Sequence, residues 1–177
     1  MTALRHLAQA EWRQVSFPVR AKAMSVTLRR WAAALIGSQA PAAAILIRFL
    51  AGGVFFTEGV KKFLFAAQWG AGRFARIGIP FPEFTGPFVG VVEIACGLLL
   101  LFGLLTRLGA VLLLIDISVA IATTKVPILL KSGFFAMEDP ARTDYSMFMS
   151  LLFLLAVGAG AWSLDSALAR RLARRDG

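Results

Sequence analysis

Four runs of predominantly apolar residues, at about 41–65, 86–105, 108–126 and 145–162, constrain this chain more than any other feature. Each spans about 18–25 residues, which at the rise of an α-helix matches a hydrocarbon core of about 30 Å. Backbone groups in lipid must be satisfied within their own segment, so runs of this length fold as helices. Composition agrees. The chain is 58% hydrophobic and 16% charged, against about 45–50% and about 25% for soluble domains. A soluble fold of 177 residues could not bury so much apolar side chain.

Proline and glycine set the expected span boundaries. Pro41 suits a first helical position. Gly86-Pro87 opens the second run, and Gly86-x-x-x-Gly90 is a spacing that lets helices approach closely. The third run stops before Pro127, and Thr143 or Asp144 is the expected N-cap of the fourth. Only Thr106-Arg107 separates the second and third runs, so these two helices are antiparallel neighbours. Residues 66–85 and 127–143 read as connections rather than domains.

Residues 1–40 form a basic extension without the short apolar core and cleavage site of a signal peptide. Its Arg-rich composition slightly resembles a transit peptide. Met24, Leu28, Trp31 and Leu35 share one helical face and Lys22, Arg29 and Arg30 the other, which predicts an amphipathic helix over 21–37 lying on the membrane surface. A disordered basic arm is the alternative. Residues 3–15 repeat the pattern more weakly. Residues 169–177 read as a basic tail. The net charge of +9 is concentrated in runs such as Arg29-Arg30, Arg170-Arg171 and Arg174-Arg175 beside the spans. This favours anionic lipid headgroups over nucleic acid as the basic partner. The N-terminal arm carries six Lys and Arg, the tail four and the short turn one, against seven in and beside the two longer connections. That bias places both termini in the cytoplasm, in a multi-pass inner-membrane protein.

The ionisable residues inside the spans are the candidate site: Arg48 and Glu58 in the first, Glu93 in the second and Asp116 in the third, with Lys62 near the end of the first. Each mid-span charge costs about 2.5–3.5 kcal/mol on insertion scales, so such residues face the interior and pair. Counting about 1.5 Å per residue from the expected span ends puts Arg48 and Asp116 at similar depth and predicts their contact, with Glu93 within reach of Arg48. Arg48, Gly52, Phe55, Gly59 and Lys62 share a sector of about 80°, with Glu58 at its margin. The glycines would admit a neighbouring helix or a flat ligand. The charges would form either a ligand- or proton-binding cavity or a structural ion-pair network. One cysteine, Cys96, and one histidine, His6, exclude an intrachain disulfide, a Cys-x-x-Cys centre and a bis-histidine haem within one copy. Cys96 reads as a small buried packing residue.

Several segments carry a resemblance: Arg48, then Glu58-Gly59-x-x-Lys62, then Gly78-Ile79-Pro80-x-Pro82. Gly90-x-x-Glu93-x-x-x-Gly97 continues it through Gly103 to Thr106-Arg107, followed by 141–146 and by Gly158-Ala-Gly160-Ala-Trp162-Ser-Leu-Asp165. In order and spacing, residues 41–168 resemble the DoxX family of small bacterial four-helix membrane proteins. The resemblance implies an all-α, four-helix transmembrane bundle of up-and-down topology. It also implies links to quinone-dependent or stress-related redox complexes, whose members include a subunit of a thiosulfate:quinone oxidoreductase. No cofactor is intrinsic to the chain, so a quinone or a redox partner subunit would supply the electron carrier. Three readings follow: a membrane subunit of a quinone-linked system, a small-molecule transporter, or a non-catalytic assembly subunit acting through a partner or as a homo-oligomer.

Overall fold

The computed structural model describes residues 41–174, with side chains to Arg171. The expected surface helix at 21–37 and the weaker one at 3–15 lie outside these residues. Every described element is helical: α1 Ala44–Leu64, α2 Ala66–Trp69, α3 Ala71–Arg76, α4 Pro82–Phe102, α5 Thr106–Thr124, α6 Val126–Ser132, α7 Phe134–Val157 and α8 Leu164–Arg174. Among them, Pro82–Phe102 and the continuous stretch Thr106–Ser132 are long and apolar enough to cross a membrane by length and composition, with mean hydropathies of 2.0 and 1.9. In α1, Arg48, Glu58, Lys61 and Lys62 lower the apolar character. In α7, Glu138, Asp139, Arg142 and Asp144 do so.

The four long helices α1, α4, α5 and α7 share one core. Ala51 and Phe55 come from α1, Cys96 and Leu100 from α4, Ala110, Leu113 and Ile117 from α5, and Met147, Leu151 and Leu154 from α7. Around this core many large apolar side chains point outward, including Phe49, Phe84, Phe88, Phe102 and Ile115. Lipid is the solvent that such a surface suits.

The most intimate contact joins α1 to α4. A Cβ on Gly52 would lie 2.8 Å from the Gly97 carbonyl oxygen, and one on Gly59 would lie 2.7 Å from that of Gly90. Two glycine tiers, one helical repeat of seven apart, thus let the backbones touch. The glycine face of α1 receives a helix, and Gly86 seats α4 against Ala71, whose backbone nitrogen would lie 2.8 Å from a Cβ at position 86.

The helices do not end where the apolar runs do. The helix over the second run begins at Pro82 rather than 86, because proline occupies the first turn after Phe81 at φ 52°, and it stops at Gly103, a left-handed cap. The helix over the third run ends at Thr124, and Pro127 lies in the first turn of α6 rather than in a loop. The helix over the fourth run begins at Phe134, eleven residues before the run, and ends at Val157. Gly133, Gly158 and Gly160, all at positive φ, set these limits. Thr143 and Asp144 therefore lie inside α7 and cap nothing. The basic tail at 169–177 is, through Arg174, the continuation of α8.

Candidate functional site

Buried charge falls into two groups. One sits where α4 turns into α5 through Gly103–Leu105. Here Arg48, only 2% exposed, spends its guanidinium on backbone. Nε donates to the Leu100 oxygen at 2.9 Å and Nη2 to that of Leu101 at 2.7 Å. Nη1 donates to the carbonyls of Ala159 at 3.1 Å and Trp162 at 2.7 Å. Arg48 thus caps the last turn of α4, where a cation also complements the helix dipole, and fastens it to the segment after α7. Asp165, equally buried, mirrors it. Its Oδ1 accepts from the Leu105 N–H at 2.7 Å and its Oδ2 from the Thr106 N–H at 3.0 Å, capping α5 from sixty residues away. Its own N–H donates to the Gly103 carbonyl at 2.9 Å.

The predicted Arg48–Asp116 contact is therefore absent, and Arg48 does not reach Glu93. The depth count failed at the helix starts. Arg48 stands four residues into α1, about 6 Å, whereas Asp116 stands ten residues into α5, about 15 Å.

The second group surrounds a cavity of about 400 Å³ at the opposite end, walled by α1, α3, α4, α5 and α7. Four of the five candidates, Glu58, Lys62, Glu93 and Asp116, line it; Arg48 does not. Lys61, Arg73, Lys125 and Asp144 also line it, so four cations and four acids face one space. Lys62 Nζ meets Glu93 Oε2 at 2.5 Å, a pair with 11% and 6% of its side chains exposed. Asp116, one helix over, lines the same cavity as Glu93. Lys61 pairs with Glu58 on the same helix. Lys125 pairs with Asp144 at 3.0 Å and ties the end of α5 to α7.

The segment at 66–79, expected as a plain connection, builds the mouth. Arg76 donates to the carbonyls of Ala67 at 2.9 Å and Gln68 at 3.0 Å, folding α3 back on α2. Phe74 is buried beneath it. The fold presents Trp69 with two cations over its ring, Lys61 Nζ at 5.1 Å and the Arg73 guanidinium carbon at 5.4 Å from the centroid. None of Trp69, Arg73, Lys125, Asp144 and Asp165 was among the site residues expected from the sequence. The available signal was the clustering of charge at both ends of the connections. Among the described residues no group of three or more His, Cys, Asp or Glu side chains is placed to hold a metal.

Chemically, Glu93 and Asp116 present two carboxyl groups to one cavity, with Lys62 as a donor bonded to Glu93. Around them lies a space within the range of about 300–1,000 Å³ typical of small-ligand sites.

Comparison with known proteins adds the following. A family model described as DoxX matches residues 43–126, and one described as TQO small subunit DoxD matches residues 87–176. The chain is 49% identical over 143 residues to the "Uncharacterized membrane protein Rv3486" of Mycobacterium tuberculosis, covering 77% of this chain and 88% of that protein. It is 31% identical over 121 residues to the "Putative oxidoreductase CatD" of Bacillus subtilis, covering 68% of this chain and 83% of that one. No solved structure matches.

Proposed function

The chain belongs to the DoxX family of membrane proteins, and from that premise we propose that it is a membrane subunit of a quinone-linked redox system that binds a small molecule in its polar cavity. The Lys62–Glu93–Asp116 cluster facing that cavity carries the reading. In this reading α1, α4, α5 and α7 all cross the cytoplasmic membrane of a bacterium as an up-and-down bundle spanning 41–168, with both termini inside. The excess of Lys and Arg on the tails and the Thr106 turn supports the orientation. The likeness to an oxidoreductase subunit family and to CatD supports the redox assignment.

The lining fits a quinone head. It offers a lysine donor, a carboxyl pair able to give or accept a proton, and an indole for stacking. A bound quinone would supply the electron-accepting chemistry that one cysteine and one histidine do not. Lys62 donates a hydrogen bond and keeps the Glu93 carboxyl turned into the cavity. Glu93 and Asp116 exchange a proton with the ligand oxygen. Phe55, Ile117 and Met147 close the inner end and keep water from passing through. Electrons arrive from a partner subunit.

The test is quinone extraction from the purified chain, together with binding of a short-chain quinone analogue to the wild type and to Glu93→Gln. Copurifying quinone and an affinity about tenfold weaker in Glu93→Gln support the reading; a charge-assisted hydrogen bond is worth about that much. Quinone-free protein with equal analogue binding by both forms overturns it.

A further inference from the structure

Three of the four cations lining the cavity have a carboxylate partner: Lys61 with Glu58, Lys62 with Glu93 and Lys125 with Asp144. Arg73 is the fourth. Among the described residues its recorded contact is the face of Trp69, and no carboxylate pairs with it. Its guanidinium has five N–H donors in a planar fork. The short helix that carries it is fixed from both sides, by Phe74 beneath and by the Arg76 bonds to α2. The fork is thus held at the cavity wall.

The surroundings of the indole point the same way. Lys61 and Arg73 both lie over the Trp69 ring, so two positive charges stand together there, and of the two only Lys61 has a carboxylate partner. A planar carboxylate suits this arrangement. Its charge meets the unpaired cation and its two oxygens match the guanidinium fork.

We infer that the mouth of the cavity, where Arg73 and Lys61 lie over Trp69, is a binding site for a small planar carboxylate. The inference goes beyond the preceding reading, because a quinone is neutral: it adds an anion subsite at the mouth, and it rests on the cavity being a ligand site. Selectivity then arises at the mouth, between anionic and neutral compounds of one shape, while proton exchange belongs to Glu93 and Asp116.

The experiment measures binding of benzoate and of its neutral isostere benzamide to the purified full chain. Wild type binds benzoate at least about tenfold more tightly than benzamide, the margin of a charge-assisted hydrogen bond. Arg73→Gln removes that preference, Arg73→Lys keeps part of it, and Lys131→Gln, outside the cavity, leaves it unchanged. Equal binding of the two probes by wild type, no binding of either, or an intact preference in Arg73→Gln overturns the inference. The two proposals fail separately. Quinone analogue binding that senses Glu93→Gln, without benzoate preference, sinks only the anion site. Benzoate preference that senses Arg73→Gln, without quinone binding, sinks only the redox reading.

Discussion

Replacing Arg48 with lysine separates fold from site. The substitution keeps the positive charge at the end of α4 but exchanges a fork for a point. Four carbonyls now receive the guanidinium: Leu100 and Leu101 on one side, Ala159 and Trp162 on the other. An ammonium has three donors, so at least one of the four bonds is lost. Hydrogen bonds to charged groups contribute about 1.5–3 kcal/mol each, so Arg48→Lys should destabilise the protein by at least about 1.5–3 kcal/mol. For a chain of this size each kcal/mol shifts the unfolding midpoint by about 2–4 °C, giving a fall of at least about 3 °C in a detergent thermal melt. Ligand binding at the cavity should be unchanged in the protein that remains folded, because Arg48 is absent from the cavity wall. A midpoint within about 2 °C of wild type, or a binding defect without destabilisation, would refute the assignment of Arg48 to the helix ends.

Gly59→Ala places a methyl 2.7 Å from the Gly90 carbonyl and should cost about 1–3 kcal/mol by forcing α1 from α4. Gly53→Ala, one turn and a half away with nothing within 4 Å, should instead gain about 0.5–1 kcal/mol; chemical unfolding of the two variants side by side checks both signs. Lys62→Met strands the Glu93 carboxylate and should lower stability by about 3–5 kcal/mol, whereas Lys62→Met combined with Glu93→Leu should recover most of it, as a double-mutant cycle would read. On α8, Leu164 and Leu168 form an exposed apolar stripe beside the exposed Arg170 and Arg171. A spin label at position 168, in a Cys96→Ser background, should relax with oxygen as a lipid-exposed site does, and one at position 171 with a water-soluble agent; equal water access at both would show that α8 does not lie in the interface.

Legibility in the sequence followed the range of the interaction. The buried face of α1 was readable because Arg48, Gly52, Phe55 and Gly59 recur with a helix's own period, a property of one segment. Glu93 was readable as an interior acid for the same reason. Arg48's partners were not, because they depend on where α4 and α7 end, and a four-residue error in a helix start moves a side chain about 6 Å along the axis. Hydropathy also finds spans rather than helices. The first half of α7 looked like a loop because it carries Glu138, Asp139 and Arg142, yet these pair along the helix at 3.1 and 2.6 Å. Trp69 and Arg73 became a mouth only through the carbonyl bonds of Arg76, which no local pattern announces.

The two groups of buried charge differ in what they can give up. Arg48 and Asp165 bond backbone groups at helix ends, so a ligand could displace them only by opening the turn between α4 and α5. Lys61, Lys62 and Lys125 bond carboxylates on side chains, and each such pair can exchange a partner while every backbone bond stays in place. A membrane protein that binds ligands or moves protons needs the second kind of charge where the ligand enters and the first kind where the helices must hold. Intramembrane charge is a sign of function by default, and here the identity of the bonded partner, backbone or side chain, separates the charges that hold the fold from those available for chemistry.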